Sequence, residues 1–261
     1  MRCRTSSKGR GLALVVVALM GSHGAARACG WPGQQDSGLA FDGITADGDM
    51  LLSDGTRGRL PGLRMRLNAD NADALSQILS PWHQAGVSSL EPSGAADRWG
   101  RRAVAIFSRG GGPGRDLALN LLETGFAIVA PAELPPNCRI PYFQTEAVAR
   151  KGARGYWSTA GVGLMDAAQG QLLAGRAGEL VVMQGRVNHV GQTRRATFLN
   201  FGARGTGASA ELNLSVWREL ERQGWTRDTL RGQTLRVRGV VHTANPARMM
   251  ITDATSVEKV D

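Results

Sequence analysis

The chain has 261 residues, 42% apolar and 20% charged, which is enough apolar material for one or two packed domains and sets disorder aside as the default class. Its net charge of +9 points toward an acidic partner, but five of its 31 basic residues and none of its 22 acidic ones lie in residues 1–28. Without that segment 26 basic residues face 22 acidic ones, a net charge of +4, so bulk charge makes only a weak case for nucleic acid.

At the N-terminus, Arg2, Arg4, Lys8 and Arg10 precede an apolar run from Gly11 to Met20, and Ala26-Arg27-Ala28 supplies a small-x-small cleavage pattern. This predicts a secretory signal peptide over residues 1–28 and a periplasmic or secreted mature protein. The apolar run is shorter than the roughly 20 residues of a spanning helix, so no stable membrane span is expected. Cleavage leaves Cys29 and Cys138 as an even pair in an oxidising compartment, and a disulfide between them is the expectation. It would close a loop of about a hundred residues, worth ~4–5 kcal/mol in the chain-entropy model. Two separate thiols, or acylation of Cys29, are the alternatives.

From Ala40 to Leu63 the pattern predicts two strands joined by an Asp54-Gly55 turn. Ala74, Leu75, Ile78 and Leu79 form the stripe of a helix over Asn71 to Trp82 that Pro81 ends. Strands follow at Val87–Leu90 and Arg102–Phe107. The run Gly110 to Gly114 lacks the Lys-Ser/Thr of a phosphate-binding loop and predicts a flexible connection. Next come a helix from Asp116 to Thr124 capped by Gly125, a strand from Phe126 to Val129, a loop from Pro131 to Pro141, and a helix from Thr145 to Lys151.

Residues 159–176 are small, polar and Gly/Ala-rich, and predict a linker or a short ordered connection. Beyond them the pattern is five short strands with one helix between the third and fourth: Glu179–Val187, Ala196–Gly202, Ala210–Val216, the helix Trp217–Gln223, then Gln233–Val241 and Ile251–Val257. That order is expected of an OB-fold barrel over 177–261.

The run Asp97-Arg98-Trp99-Gly100-Arg101, the later Leu121 to Ala127 block, and Glu146 to Arg150 followed by Gly155-Tyr156-Trp157-Ser158 resemble the staphylococcal-nuclease-like (thermonuclease) family. The second unit resembles the small OB-like domain that follows some exported members. The resemblance implies an α+β chain that is mainly β: a nuclease-like OB barrel over 40–158 and a second OB-like barrel.

Active members of that family hold calcium with carboxylates and grip the phosphate with two arginines, since a hard cation needs oxygen ligands and guanidinium forks match phosphate oxygens. Carried over, the two arginines are Arg59 and Arg101. The family's Gly-Ile-Asp-x-x-Glu reads Gly62-Leu63-Arg64-Met65-Arg66-Leu67 here, so Arg64 and Leu67 stand in place of a metal-binding aspartate and a glutamate. Asp47-Gly48-Asp49 resembles the family's Asp-Gly-Asp, which makes Asp47 and Asp49 the metal candidates if Ca2+ binds; ordinary turn residues are the simpler account. Candidates for nucleic-acid contact are Arg64 and Arg66, and on the second unit Arg236 and Arg238, which share a strand face. His83, His189 and His242 have no metal-ligand spacing, and no Gly-x-Ser-x-Gly occurs.

The expected function is therefore an exported protein that binds DNA, RNA or another phosphate-bearing ligand, with phosphodiesterase activity lost or weak. Two alternatives remain at this point: an active calcium-dependent nuclease using Asp47, Asp49 or Asp54, and an envelope structural or protein-binding module.

Overall fold

The computed structural model describes residues 30–31, 33–65, 72–90, 95–108, 116–158, 163–244 and 247–260. The expected signal segment, Cys29, Arg66, Leu67 and the Gly110 to Gly114 run lie outside the described residues.

The fold is α+β. In its first half the strands are β1 (Gln35–Ile44), β2 (Met50–Leu52), β3 (Arg57–Arg59), β4 (Leu63–Met65), β5 (Gly86–Ser89), β6 (Arg101–Phe107) and β7 (Ala127–Val129). Five of them pair in the order β1-β2-β3-β6-β5 and close into a barrel, antiparallel throughout except for the parallel β3–β6 pair. The expected Asp-Gly turn joins β2 to β3, with Gly55 at φ 78° where other residues are strained. The region before Leu63 holds three strands where two were expected. Alternation puts Phe41, Met50, Leu52, Val87, Val104 and Ile106 inside the barrel.

Helix α1 (Ala72–Leu79) buries Leu75 and Leu79 on the barrel, and Pro81 turns its end into the 3-10 turn Ser80–Trp82. Helix α2 (Leu117–Thr124) starts where the Asp116 carboxylate accepts the Ala118 N–H, and ends at Gly125 in the left-handed region.

Helix α3 corrects the expectation of a loop over Pro131 to Pro141. After the 3-10 turn Pro131–Glu133 it spans Pro136–Lys151, nine residues earlier than the apolar pattern suggested. Pro136 falls in its first turn, where the missing N–H costs nothing. Pro141 sits inside it, and the Thr145 hydroxyl donates to the Pro141 carbonyl at 2.8 Å.

Of the two readings of the connecting stretch, residues 163–176 follow the ordered one. Residues 163–176 carry β8 (Met165–Asp166), parallel to the next strand, and helix α4 (Gly170–Ala174), and Met165 and Leu173 are buried in the second core. That core is enclosed by β9 (Leu180–Gln192), β10 (Ala196–Phe201), β11 (Ser209–Asn213), β12 (Thr234–Ala244) and β13 (Ala247–Ile251). Each pairs with the next around the ring β9-β10-β11-β13-β12 and back to β9. Helix α5 (Leu214–Arg222), capped by Asn213, and the four-residue α6 (Arg227–Leu230) lie between β11 and β12. Strand β14 (Val257–Lys259) pairs with β12.

The two halves meet at α3. Ile128, Ala149 and Trp157 of the first half pack with Val182 of β9, and Arg139 bonds Asp253 at 2.8 Å across the junction. At the centre Arg238 of β12 donates to both oxygens of Glu146, each at 2.9 Å, and to Glu258 at 2.7 Å.

Candidate anion-binding cleft

Strand alternation places Arg57 and Arg59 on one face of β3, while Gly58 points inward, where a Cβ would come 2.7 Å from Val104. The parallel register sets Arg57 opposite Arg101 of β6. The chain enters β6 through a turn built by Asp97: its Oδ1 accepts the N–H groups of Trp99 and Arg101 at 2.9 and 3.0 Å, and Gly100 supplies φ 76°.

On the other side, Gly62 at φ 79° lies so close to Leu134 that a Cβ would fall 2.2 Å from a leucine methyl. This close approach, with the β4–β7 pairing of Leu63 to Val129, carries Arg64 beside the 3-10 turn that ends at Glu133.

These elements border a cleft of about 990 Å³ lined by Asp47, Asp49, Arg57, Arg59, Arg64, Asp97, Arg98, Trp99, Arg101 and Glu133, among others. Its charges form an alternating ladder. Asp49 accepts from Arg57 at 3.2 Å and from Arg101 at 3.3 Å. Asp97 takes Arg101 at 2.9 Å and lies 3.7 Å from Arg59. Glu133 takes Arg59 at 3.1 Å with one oxygen and Arg64 with the other. Four guanidinium groups thus alternate with three carboxylates.

The carboxyl groups respond to this setting. Burial pushes Asp97 up, but the Arg101 side chain and the N–H groups of Arg101 and Trp99 outweigh it and hold the carboxyl at about 2. Burial likewise raises Glu133, and the bond and charge of Arg64, then the charge of Arg59, bring it below the usual carboxylate range. Trp99 stands at the rim, 54% exposed, with the guanidinium carbons of Arg98 and Arg101 4.0 and 4.8 Å from its ring centre.

Of the residues expected from sequence, Asp47, Asp49, Arg59, Arg64 and Arg101 all line this cleft. Asp47 is exposed in the turn before β2. The second-unit candidates are not exposed ligands. Arg238 is 1% exposed and enclosed by Glu146 and Glu258, and Arg236 is tied to Glu258 at 3.3 Å and Gln184 at 2.9 Å. Their shared face, read as open, is the face that α3 covers.

Sequence reasoning missed Arg57, Asp97, Trp99 and Glu133 as site residues. Arg57 was findable by its two-residue spacing from Arg59, and Asp97 and Trp99 by their place in the turn motif. Glu133, in an unremarkable Ala-Glu-Leu-Pro-Pro run, carried no local signal.

The donor set does not fit a calcium ion. Asp49, the better placed metal candidate, already accepts two arginines, and Arg64 adds positive charge where a dication would need carboxylate. Among the described residues no group of three His, Cys, Asp or Glu side chains is placed to hold a metal. Also among them, no helix is long and apolar enough to cross a membrane.

No protein-family model matches the chain, and no curated protein resembles it at a significant level.

Proposed function

We propose that this is an exported, thermonuclease-like protein that binds a single-stranded nucleic acid or a similar phosphate-bearing ligand without hydrolysing it. In this reading both strand rings are OB-type barrels, and the first presents the ligand site. The observation that carries the proposal is the cleft: four arginines against three carboxylates in one ladder, with an exposed tryptophan at its rim.

The chemistry follows from those groups. Guanidinium forks of Arg59, Arg64 and Arg101 pair with phosphate oxygens, and Trp99 offers a face on which a base stacks. Hydrolysis needs more: a nucleophilic water has to be deprotonated, and the loss of a positioned general base typically costs about 10²–10⁴ in rate. Glu133 and Asp97 are held as weak bases by their arginines.

The test uses the mature protein and a fluorescein-labelled single-stranded oligonucleotide. Fluorescence anisotropy at several salt concentrations should show binding that weakens with salt, with a log–log slope of about −1.4 if two phosphates are neutralised. Incubation with excess calcium should leave the oligonucleotide intact. Calcium-dependent digestion that Asp49→Ala abolishes would establish the nuclease alternative, and binding indifferent to salt would favour a protein-binding role.

A further inference from the structure

Glu133 differs from the other carboxylates of the ladder. Asp49 is nearly enclosed, with 8% of its side chain exposed, and Asp97 also holds two backbone N–H groups that build its turn. Glu133 is the last carboxylate of the ladder, is the most exposed of the three at 31%, and has its oxygens mainly on arginines: Arg59 on one, Arg64 on the other, with the Gly62 N–H 3.5 Å away. The turn that carries it is anchored without its carboxylate, because Leu134 is buried and the Ala130 N–H donates to the Gly62 carbonyl at 2.7 Å. The side chain can leave by rotation about its own bonds while the backbone stays.

A carboxylate bridging two guanidinium groups through separate oxygens also occupies the position that two oxygens of a phosphate would take, since the fork geometry is the same for both anions. We propose that Arg59 and Arg64 form the phosphate subsite of the cleft and that Glu133 is its internal occupant, displaced when a phosphate binds. The inference rests on the phosphate-binding reading above and adds to it where the phosphate sits and what competes for it. It also gives Arg64 a role: this cation adds a second guanidinium to an anion site and holds the competitor when no ligand is present. Selectivity follows, because an anion with the charge and oxygen spacing of a phosphate displaces Glu133, whereas a monovalent spherical anion bridges the two forks poorly.

The same oligonucleotide anisotropy assay tests this with Glu133→Gln, which keeps the shape and removes the charge, and with Glu133→Asp, which withdraws the carboxylate by one methylene. Thermal melting confirms that each is folded. Glu133→Gln should tighten binding by about tenfold or more, the scale of one charged hydrogen bond. Glu133→Asp should fall between it and the parent, and adding Arg64→Ala to Glu133→Gln should erase the gain. Tightening from an undetectable parent affinity would also support the proposal. If the parent binds and Glu133→Gln binds equally or more weakly, the competitor role is wrong while phosphate binding stands. If no protein binds even at low salt, both readings fall together.

Discussion

Glu146 of α3 and Arg238 of β12 are 92 residues apart and form a two-point ion pair with both side chains fully buried. Glu146 also accepts the Val129 N–H at 2.7 Å and the Arg150 guanidinium at 3.1 Å, while Arg238 reaches Glu258 and lies 4.5 Å from the ring centre of Phe143. Such a pair gives little net stability over an apolar replacement, yet losing one partner strands a buried charge. Its position at the junction makes it a bond between the two halves, beside Arg139–Asp253.

Removing either partner should therefore couple both halves to one defect. Glu146→Gln and Arg238→Met should each lose about 3–5 kcal/mol. The double variant Glu146→Gln with Arg238→Met should lose clearly less than the sum of the two, since neither charge is then left alone. Urea unfolding followed by circular dichroism reads all three. Additive losses would mean that the pair does not couple the halves.

Asp116 gives a pH dependence of known sign. Burial lifts its carboxyl from 3.8 to about 6, against the pull of the Ala118 and Leu119 N–H groups, and its Oδ2 has no hydrogen-bond partner among the described residues. Between those values the folded chain binds more protons than the unfolded one. This group's contribution is full below about pH 4, is lost as pH rises through 6, and is absent at pH 8, a change of about 3 kcal/mol at most. Asp116→Asn retains the capping oxygen and removes the titration. The melting temperature of the parent relative to this variant should fall between pH 4 and pH 8; a constant difference would show that Asp116 does not titrate there.

The cleft and the buried arginines should respond differently to substitution. Arg101→Ala should weaken oligonucleotide binding about tenfold, the scale of a charged hydrogen bond. Arg236→Ala should leave affinity unchanged within error, because Arg236 lies on β12 of the second half and does not line the cleft. Equal losses in anisotropy titrations would move the binding surface to the second half.

The Cys29–Cys138 disulfide remains a proposal, with structural support on one side. Cys138 is fully buried at the start of α3, and the Asn137 amide donates to the Gly30 carbonyl at 2.6 Å, so the residue after Cys29 lies against the residue before Cys138. Exported protein should start at Cys29 and show the mass of one disulfide, with Cys138 resistant to alkylation until reduced. Cys138→Ser should cost up to ~4–5 kcal/mol. A lipid mass on Cys29 would support the acylated alternative.

Much of the strand order was legible in the sequence because those signals are local. Alternation along β9, β10 and β12, the Asp54-Gly55 turn and the Gly125 cap each depend on a few neighbouring residues, and the Asp97 to Arg101 turn is written in one short motif. Arg59, Arg64 and Arg101 were placed at one site by a resemblance to known nucleases, and the structure brings them into one cleft.

What only the tertiary structure decided are relationships between distant residues. Helix α3 begins at Pro136 although its first turns look like a proline-rich loop, because Cys138 and Tyr142 bury against the barrel there. By composition residues 163–176 fit a linker as well as an ordered connection, and burial of Met165 and Leu173 in a core formed elsewhere decides for the second. Arg238 and Arg236 read as exposed cations because alternation says which face a side chain occupies but not what covers that face, and here the cover is α3. Glu133 was invisible for the same reason: its role depends on arginines 74 and 69 positions away, brought beside it by the β4–β7 pairing. Charge and period are properties of the chain; which charge meets which is decided when its distant segments pack.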